Sequence, residues 1–100
     1  MSERRVVVTG MGLVTPLGVG VDAVWQRLLN AESGAGRIKK IDTTDLAVNI
    51  ACEVPLGEAV PDFNADFWVS PKDQRRIDDF IIFGLSAAEQ ALADAEWKPE

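Results

Sequence analysis

Arg5-Val6-Val7-Val8-Thr9-Gly10-Met11-Gly12, close to the start of the chain, constrains everything after it. Three consecutive β-branched residues are stiff at χ1 and favour extended backbone, and apolar side chains on both faces are the pattern of a strand buried inside an α/β sheet. The run predicts a strand over Arg5 to Thr9. Downstream, Gly10 to Gly20 predicts a long glycine-rich turn, and Asp22 is placed to cap a helix whose apolar stripe is Val24, Trp25, Leu28 and Leu29. Gly34 is the expected stop for that helix.

Beyond it, residues 35 to 45 carry Arg37, Lys39 and Lys40 among turn formers and predict an exposed loop with a solvated charge run. Val48, Ile50, Cys52 and Val54 alternate with Asn49, Ala51 and Glu53, the period of a half-buried strand that stops at Pro55. On that period Cys52 faces the core and acts as a small buried hydrophobe. Pro55 to Trp68 is irregular but holds Val60, Phe63, Phe67 and Trp68, so it is expected to pack down.

Ser70-Pro71-Lys72-Asp73 is a helix start: a hydroxyl cap, proline at the first helical position and an acid near the positive end of the dipole. The helix is expected to run from about 71 to 95. If continuous, Ile77, Ile81, Gly84, Ala88, Ala91, Leu92 and Ala95 share one face, and Asp78, Asp79, Ser86, Glu89, Gln90 and Asp94 the other. Ile82 and Phe83 then fall on the polar side. Either the helix is covered on more than one face, or Asp78 caps a second helix after a kink. The small residues Gly84, Ala87, Ala88 and Ala91 suit close approach by another element.

The 100 residues, 47% hydrophobic and 26% charged, describe one undivided unit with no repeat and no linker. A strand buried on both faces and an all-round apolar segment from Phe80 to Leu85 ask for more layers than this length supplies, so the chain reads as a piece of a larger fold. In isolation it is expected to expose Phe80 to Leu85 and to aggregate or stay loosely folded. The net charge of -6 argues against a nucleic-acid or anionic-membrane binder. With no His and one Cys, imidazole catalysis, His-ligated zinc and an internal disulfide cannot be built from these residues. The uncharged run from Val6 to Val21 is broken by five glycine and proline positions, unlike a secretory signal, which fits a cytoplasmic setting.

Two motifs invite functional readings. Gly10-Met11-Gly12 after a strand suggests a dinucleotide fingerprint, but Thr15 stands at the third glycine position and no acid ends a second strand nearby. The alternative is a tight turn packed under a neighbouring element. Lys72, Arg75 and Arg76, at i, i+3 and i+4, form a compact cationic patch on one side of a helical turn. Spacing alone leaves open a docking site for an acidic partner and a solvated face paired with Asp73, Asp78 or Asp79.

In succession, RRVVVTGMGLVTPLG, the Trp25-containing helix leading to Ser33-Gly34, and SPKDQRRIDDFIIFGLSAAEQAL resemble the N-terminus of β-ketoacyl-acyl carrier protein synthases, nearest the type II elongating enzymes. The likeness runs from about Arg4 to Trp97 without large gaps. It implies a thiolase-type layered α-β-α-β-α fold, of which residues 1–100 are the N-terminal part of the first half, and a homodimer. The implied reaction is a decarboxylating Claisen condensation between an acyl-enzyme and malonyl-acyl carrier protein, with no cofactor. The family's nucleophilic cysteine, two histidines and supporting lysine are expected beyond residue 100, so Cys52 inherits no catalytic role. Lys72, Arg75 and Arg76 fall at family positions that bind acyl carrier protein; Pro71 and Ile77 stand where members vary. A polyketide ketosynthase and a non-catalytic chain-length factor are the competing readings.

Overall fold

The computed structural model describes residues 3–98. Its elements in chain order are β1 (Val14–Thr15), β2 (Gly18–Val19), α1 (Val21–Leu29), β3 (Ala35–Arg37), β4 (Ile50–Cys52), α2 (Ala65–Trp68), α3 (Pro71–Gln74) and α4 (Asp79–Asp94). The class is α/β, as expected, but the strands form two small antiparallel ribbons, β1 with β2 and β3 with β4. A radius of gyration of 16.7 Å exceeds the ~13 Å of a self-contained domain of this length. The core is correspondingly small: Val19, Phe63, Val69 and Ile82, with Phe83 set edge-on to Phe63 at 5.0 Å between ring centroids.

The valine run does not form the expected paired strand. Val6, Val7 and Val8 have no ladder partner among the described residues, and Val6 is 93% exposed. A strand of this composition needs a neighbour on each edge and a layer on each face, and the described residues provide neither.

The glycine-rich segment after the valines is more ordered than a plain turn. Gly10 to Leu13 runs along α4, and the chain then folds into the β1–β2 hairpin, register Val14 with Val19 and Thr15 with Gly18. Thr15 Oγ1 accepts from the Leu17 amide at 3.1 Å, and the Arg27 guanidinium donates to the Leu17 carbonyl at 2.8 Å, so the Pro16-Leu17 tip is held from both sides. Gly18, at φ 129°, lies against Pro61, whose carbonyl accepts from the Val19 amide at 2.9 Å.

Helix α1 begins two residues earlier than expected. Gly20, at φ 95°, is its cap without a side-chain bond, and Asp22 lies in the first turn, where its charge still favours the dipole. Of the predicted stripe only Val24 is buried; Trp25, Leu28 and Leu29 are exposed. The stop is Ala31 rather than Gly34. Ala31 adopts φ 56°, its amide bonds the Leu28 carbonyl, and the Glu32 amide bonds the Arg27 carbonyl, a Schellman closure built without glycine. Gly34 has another purpose: a β-carbon there would sit 2.6 Å from Cβ of Pro16.

Residues 35–37, expected as loop, are the β3 strand paired with β4, which is shorter than the predicted 48–54 strand. Both strands are exposed on each face, so Cys52 is exposed rather than core-facing. The period of two is real, but nothing among the described residues packs against the ribbon's would-be inner face.

Pro55 to Trp68 packs down only in part: Phe63, whose amide donates to the Pro55 carbonyl at 2.7 Å, is buried and Trp68 half-buried, but Val60 and Phe67, also expected to pack, are exposed. The predicted 71–95 helix is two helices. Helix α3 stops after Gln74, and Asp78, in extended conformation, is the cap from which α4 starts, the kinked alternative. Like α1, α4 ends in a Schellman closure, with Glu96 at φ 55° and the Trp97 amide on the Leu92 carbonyl.

The facing of α4 departs in part from the sequence expectation: Asp78, Asp79, Glu89 and Asp94 are exposed as expected, and Ile77, Ala91, Leu92 and Ala95 are partly buried. Ser86, assigned to the polar side, is 0% exposed, and Ile82 is buried beside it, whereas Phe80, Ile81, Leu85 and Ala88 are exposed. Part of the polar side, Ser86 and Gln90, is covered, and Gln90 and Asp94 have backbone to satisfy. The Met11 amide donates to Asp94 Oδ2 at 3.0 Å, the Leu13 amide to Gln90 Oε1 at 3.2 Å, and Gln90 Nε2 returns a bond to the Leu13 carbonyl at 3.2 Å. Four residues of helix rise about 6 Å and two of extended chain slightly more, so the two ladders stay in step. Ala87 and Ala91 admit this approach, as their size suggested, and no β-carbon fits between: at Gly12 it would lie 2.0 Å from the Ala87 carbonyl oxygen.

Candidate functional site

The cationic turn is built from the end of α2 through the start of α4. Ser70 caps α3, its hydroxyl accepting from the Asp73 amide at 3.3 Å, with Pro71 at the first helical position. Gln74 fixes the far end: its Nε2 donates to Asp66 Oδ1 and to the Val69 carbonyl, both at 2.8 Å, tying α3 to α2. Arg75 keeps helical dihedrals as the C-cap, and the Arg76 amide reaches the Asp73 carbonyl at 3.0 Å, so the chain stays tightly wound through all three cations. Ile77 then packs on the core and holds the turn against the body of the molecule.

Lys72, Arg75 and Arg76 are all exposed, and among the described residues none lies within ion-pair distance of a carboxylate. The paired-face alternative, in which Asp73, Asp78 or Asp79 neutralises them, is not what the structure holds. Asp79 is paired instead with Lys40, a residue 39 positions upstream. Hydrogen bonding to Asp79, more than its charge alone, holds the Lys40 ammonium above the usual lysine range. The approach to that pair is ordered as well, because Glu53 accepts from the Lys39 and Lys40 amides at 2.8 and 3.2 Å. Sequence reasoning missed the Lys40–Asp79 pair; the only signal was opposite charge, with no spacing rule to join a hairpin to a helix start.

The dinucleotide reading fails on geometry. The Met11 and Leu13 amides, which a pyrophosphate would need, already donate to Asp94 and Gln90, and Gly10 and Gly12 lie flush against α4. These glycines are close-approach residues. Cys52 lies on exposed β4 opposite Ala35. No described helix is long and apolar enough to cross a membrane.

Among the described residues, then, the α/β framework carries three exposed cations, Lys72, Arg75 and Arg76, on one tight turn without an ion-pair partner. Residues 3–100 match the family model described as "Beta-ketoacyl synthase, N-terminal domain", and the chain belongs to that family. It is 48% identical over 98 residues to a 3-oxoacyl-[acyl-carrier-protein] synthase 2 of Rhizobium meliloti, covering 97% of this chain and 23% of that protein. A synthase 2 of Vibrio cholerae is 41% identical over 95% of the chain and 22% of its own length. A mitochondrial 3-oxoacyl-[acyl-carrier-protein] synthase of Arabidopsis thaliana is 39% identical over 98% and 24%. The solved structure titled "The ishigamide ketosynthase/chain length factor" superposes with a TM-score of 0.81 at 32% identity, over 97% of this chain and 23% of that one. The likeness to a ketosynthase carries the thiolase-type α/β fold expected from the sequence. The chain thus spans about a quarter of the length of the relatives it matches.

Proposed function

We propose that these residues are the N-terminal part of a condensing enzyme of fatty-acid synthesis, a 3-oxoacyl-acyl carrier protein synthase of type II, acting in the cytoplasm as a homodimer. The observation that carries this reading is the near-complete match to synthase 2 relatives, joined to an exposed and unpaired cationic turn. In the proposed reaction a cysteine thiolate beyond residue 100 attacks the acyl-carrier thioester and expels the carrier's thiolate. Malonyl-acyl carrier protein then loses carbon dioxide, and the resulting enolate attacks the enzyme thioester, releasing the cysteine and leaving a 3-oxoacyl carrier two carbons longer. Two histidines donate hydrogen bonds to the enolate oxygen. No cofactor is needed in this scheme.

Within it, Lys72, Arg75 and Arg76 dock acyl carrier protein. Three cations on one tight turn of a chain with net charge -6 are positioned to steer an acidic partner, and solvent exposure leaves them available. The test is carrier binding to the full-length protein, wild type against Lys72→Ala/Arg75→Ala/Arg76→Ala, at low and raised salt. The expected result is a loss of at least roughly tenfold at low salt that shrinks as salt screens the contacts. Unaltered binding with an intact fold would reduce the patch to a solvated face. The solved match to a ketosynthase/chain length factor keeps a non-catalytic partner as the second reading. Acyl transfer from a radiolabelled carrier to a protein thiol separates the two.

A further inference from the structure

Resting on the docking role of the turn, we infer that Lys40 acts as a positioning residue: by engaging Asp79 it keeps that carboxylate from neutralising Arg75 and Arg76, and so keeps the docking surface cationic. The cations have acids close by in sequence at Asp73, Asp78 and Asp79, yet none is paired with them among the described residues. Two carboxylates, Asp66 and Asp79, are each engaged by a side chain outside the triplet. Asp66 accepts from Gln74, and Asp79 is held by Lys40. Asp79 is also near enough along the chain to interfere. Three peptide units separate it from Arg76, so the two Cα atoms lie at most about 11 Å apart, within the joint reach of an arginine and an aspartate side chain.

Lys40 is well placed for this. Its backbone and that of Lys39 are fixed by the Glu53 carboxylate, so the ammonium reaches Asp79 from an ordered turn after β3 rather than from a free loop. An exposed pair of this kind adds little to stability, and both side chains are more than half exposed, at 68% and 55%. Its effect is therefore on which charges the surface shows. Without Lys40, Asp79 competes with the carrier's carboxylates for the same guanidinium groups.

The test uses the full-length protein with Lys40→Met, Asp79→Asn and the double variant, read by carrier affinity and by phenylglyoxal modification of Arg75 and Arg76 quantified by mass spectrometry. Lys40→Met is expected to weaken carrier binding about fivefold, the size of one exposed charge pair, and to slow arginine modification. Lys40→Arg is expected to retain both. The double variant is expected to match Asp79→Asn alone, because the competing carboxylate is gone. An equal loss from Lys40→Met with and without Asp79 would overturn the inference and make Lys40 a direct contact. Unchanged arginine reactivity in Lys40→Met would overturn it too. If the Lys72/Arg75/Arg76 variant binds carrier normally while arginine reactivity depends on Lys40 as stated, the docking reading fails and the charge competition stands.

Discussion

Gly12→Ala puts the close contact between the extended segment and α4 to a direct test. The added β-carbon would stand 2.0 Å from the Ala87 carbonyl oxygen and 2.7 Å from Cβ of Gln90, and neither the helix backbone nor a β-carbon can step aside. The segment must lift off. Overpacking of this kind costs about 1–3 kcal/mol. Lifting also strains the bonds from the Met11 and Leu13 amides and the one returned by Gln90, each worth about 0.5–1.5 kcal/mol and nearer the lower figure at an exposed site. Together the penalty is about 3 kcal/mol, or roughly a hundredfold in the population of the locally opened state. Hydrogen exchange of the Met11 and Leu13 amides in the full-length protein reads that population. Gly36→Ala is the control, since a β-carbon there meets nothing within 4 Å. Gln90→Ala should raise exchange less than Gly12→Ala, because it removes the two bonds to Leu13 and one to Ser86 without a clash. If Gly12→Ala leaves both amides exchanging at the wild-type rate, the glycines do not seat the segment on α4 and the steric argument is wrong.

Ala31→Gly should raise the melting temperature. At φ 56° the alanine side chain sits in the left-handed region that glycine occupies without strain, a gain of about 0.5–1 kcal/mol after the entropy cost of glycine; a lower melting temperature would contradict the Schellman assignment. Asp42 should titrate below its ordinary value of 3.8, because the Thr44 hydroxyl first and the Thr44 amide second hydrogen-bond the carboxylate. A depressed carboxyl pKa stabilises the fold above the unfolded value and loses that contribution as pH falls through the folded one. Thr44→Val should move the Asp42 carboxyl-carbon NMR midpoint back toward 3.8, and no movement would discard the hydroxyl contact.

Much of the fold was legible in the sequence where a local rule decides the outcome. Ser70-Pro71 marks a helix start in any surroundings, because cap and proline act within one turn. Phe63 and Trp68 announced that their irregular segment packs, and Asp78 was visible as the cap of a second helix. The alanines of α4 signalled close approach, though not by what. The cationic turn was legible as three residues, but not its freedom from ion pairs, which depends on where Asp79 points. Ala31 and Glu96 carry no sign of left-handed backbone. Glycine was the expected stop at α1, and the chain closes that helix on alanine, using Gly34 to admit Pro16.

The valine run and the outer face of α4 failed for a shared reason that bears on function. Hydrophobic periodicity reports which surfaces a fold buries, whatever part of that fold supplies the cover. In these residues Val6 to Val8 and the Phe80, Ile81 and Leu85 face lie bare, while polar Ser86 is buried and Gln90 half-buried, and Gln90 and Asp94 bond the Gly10–Leu13 backbone, which needs partners there. A helix satisfied on its polar side and bare on its apolar side has a second packing partner still to receive. That is the arrangement expected of a layer inside a thiolase-type fold rather than of an outer helix. It leaves the α3 turn, at the entrance to this layer, as the place where exposed charge meets a rigid support. Core packing through Ile77 and Ile82 holds the start of α4, so the cations of α3 are borne on a turn that need not reorganise when an acidic partner arrives.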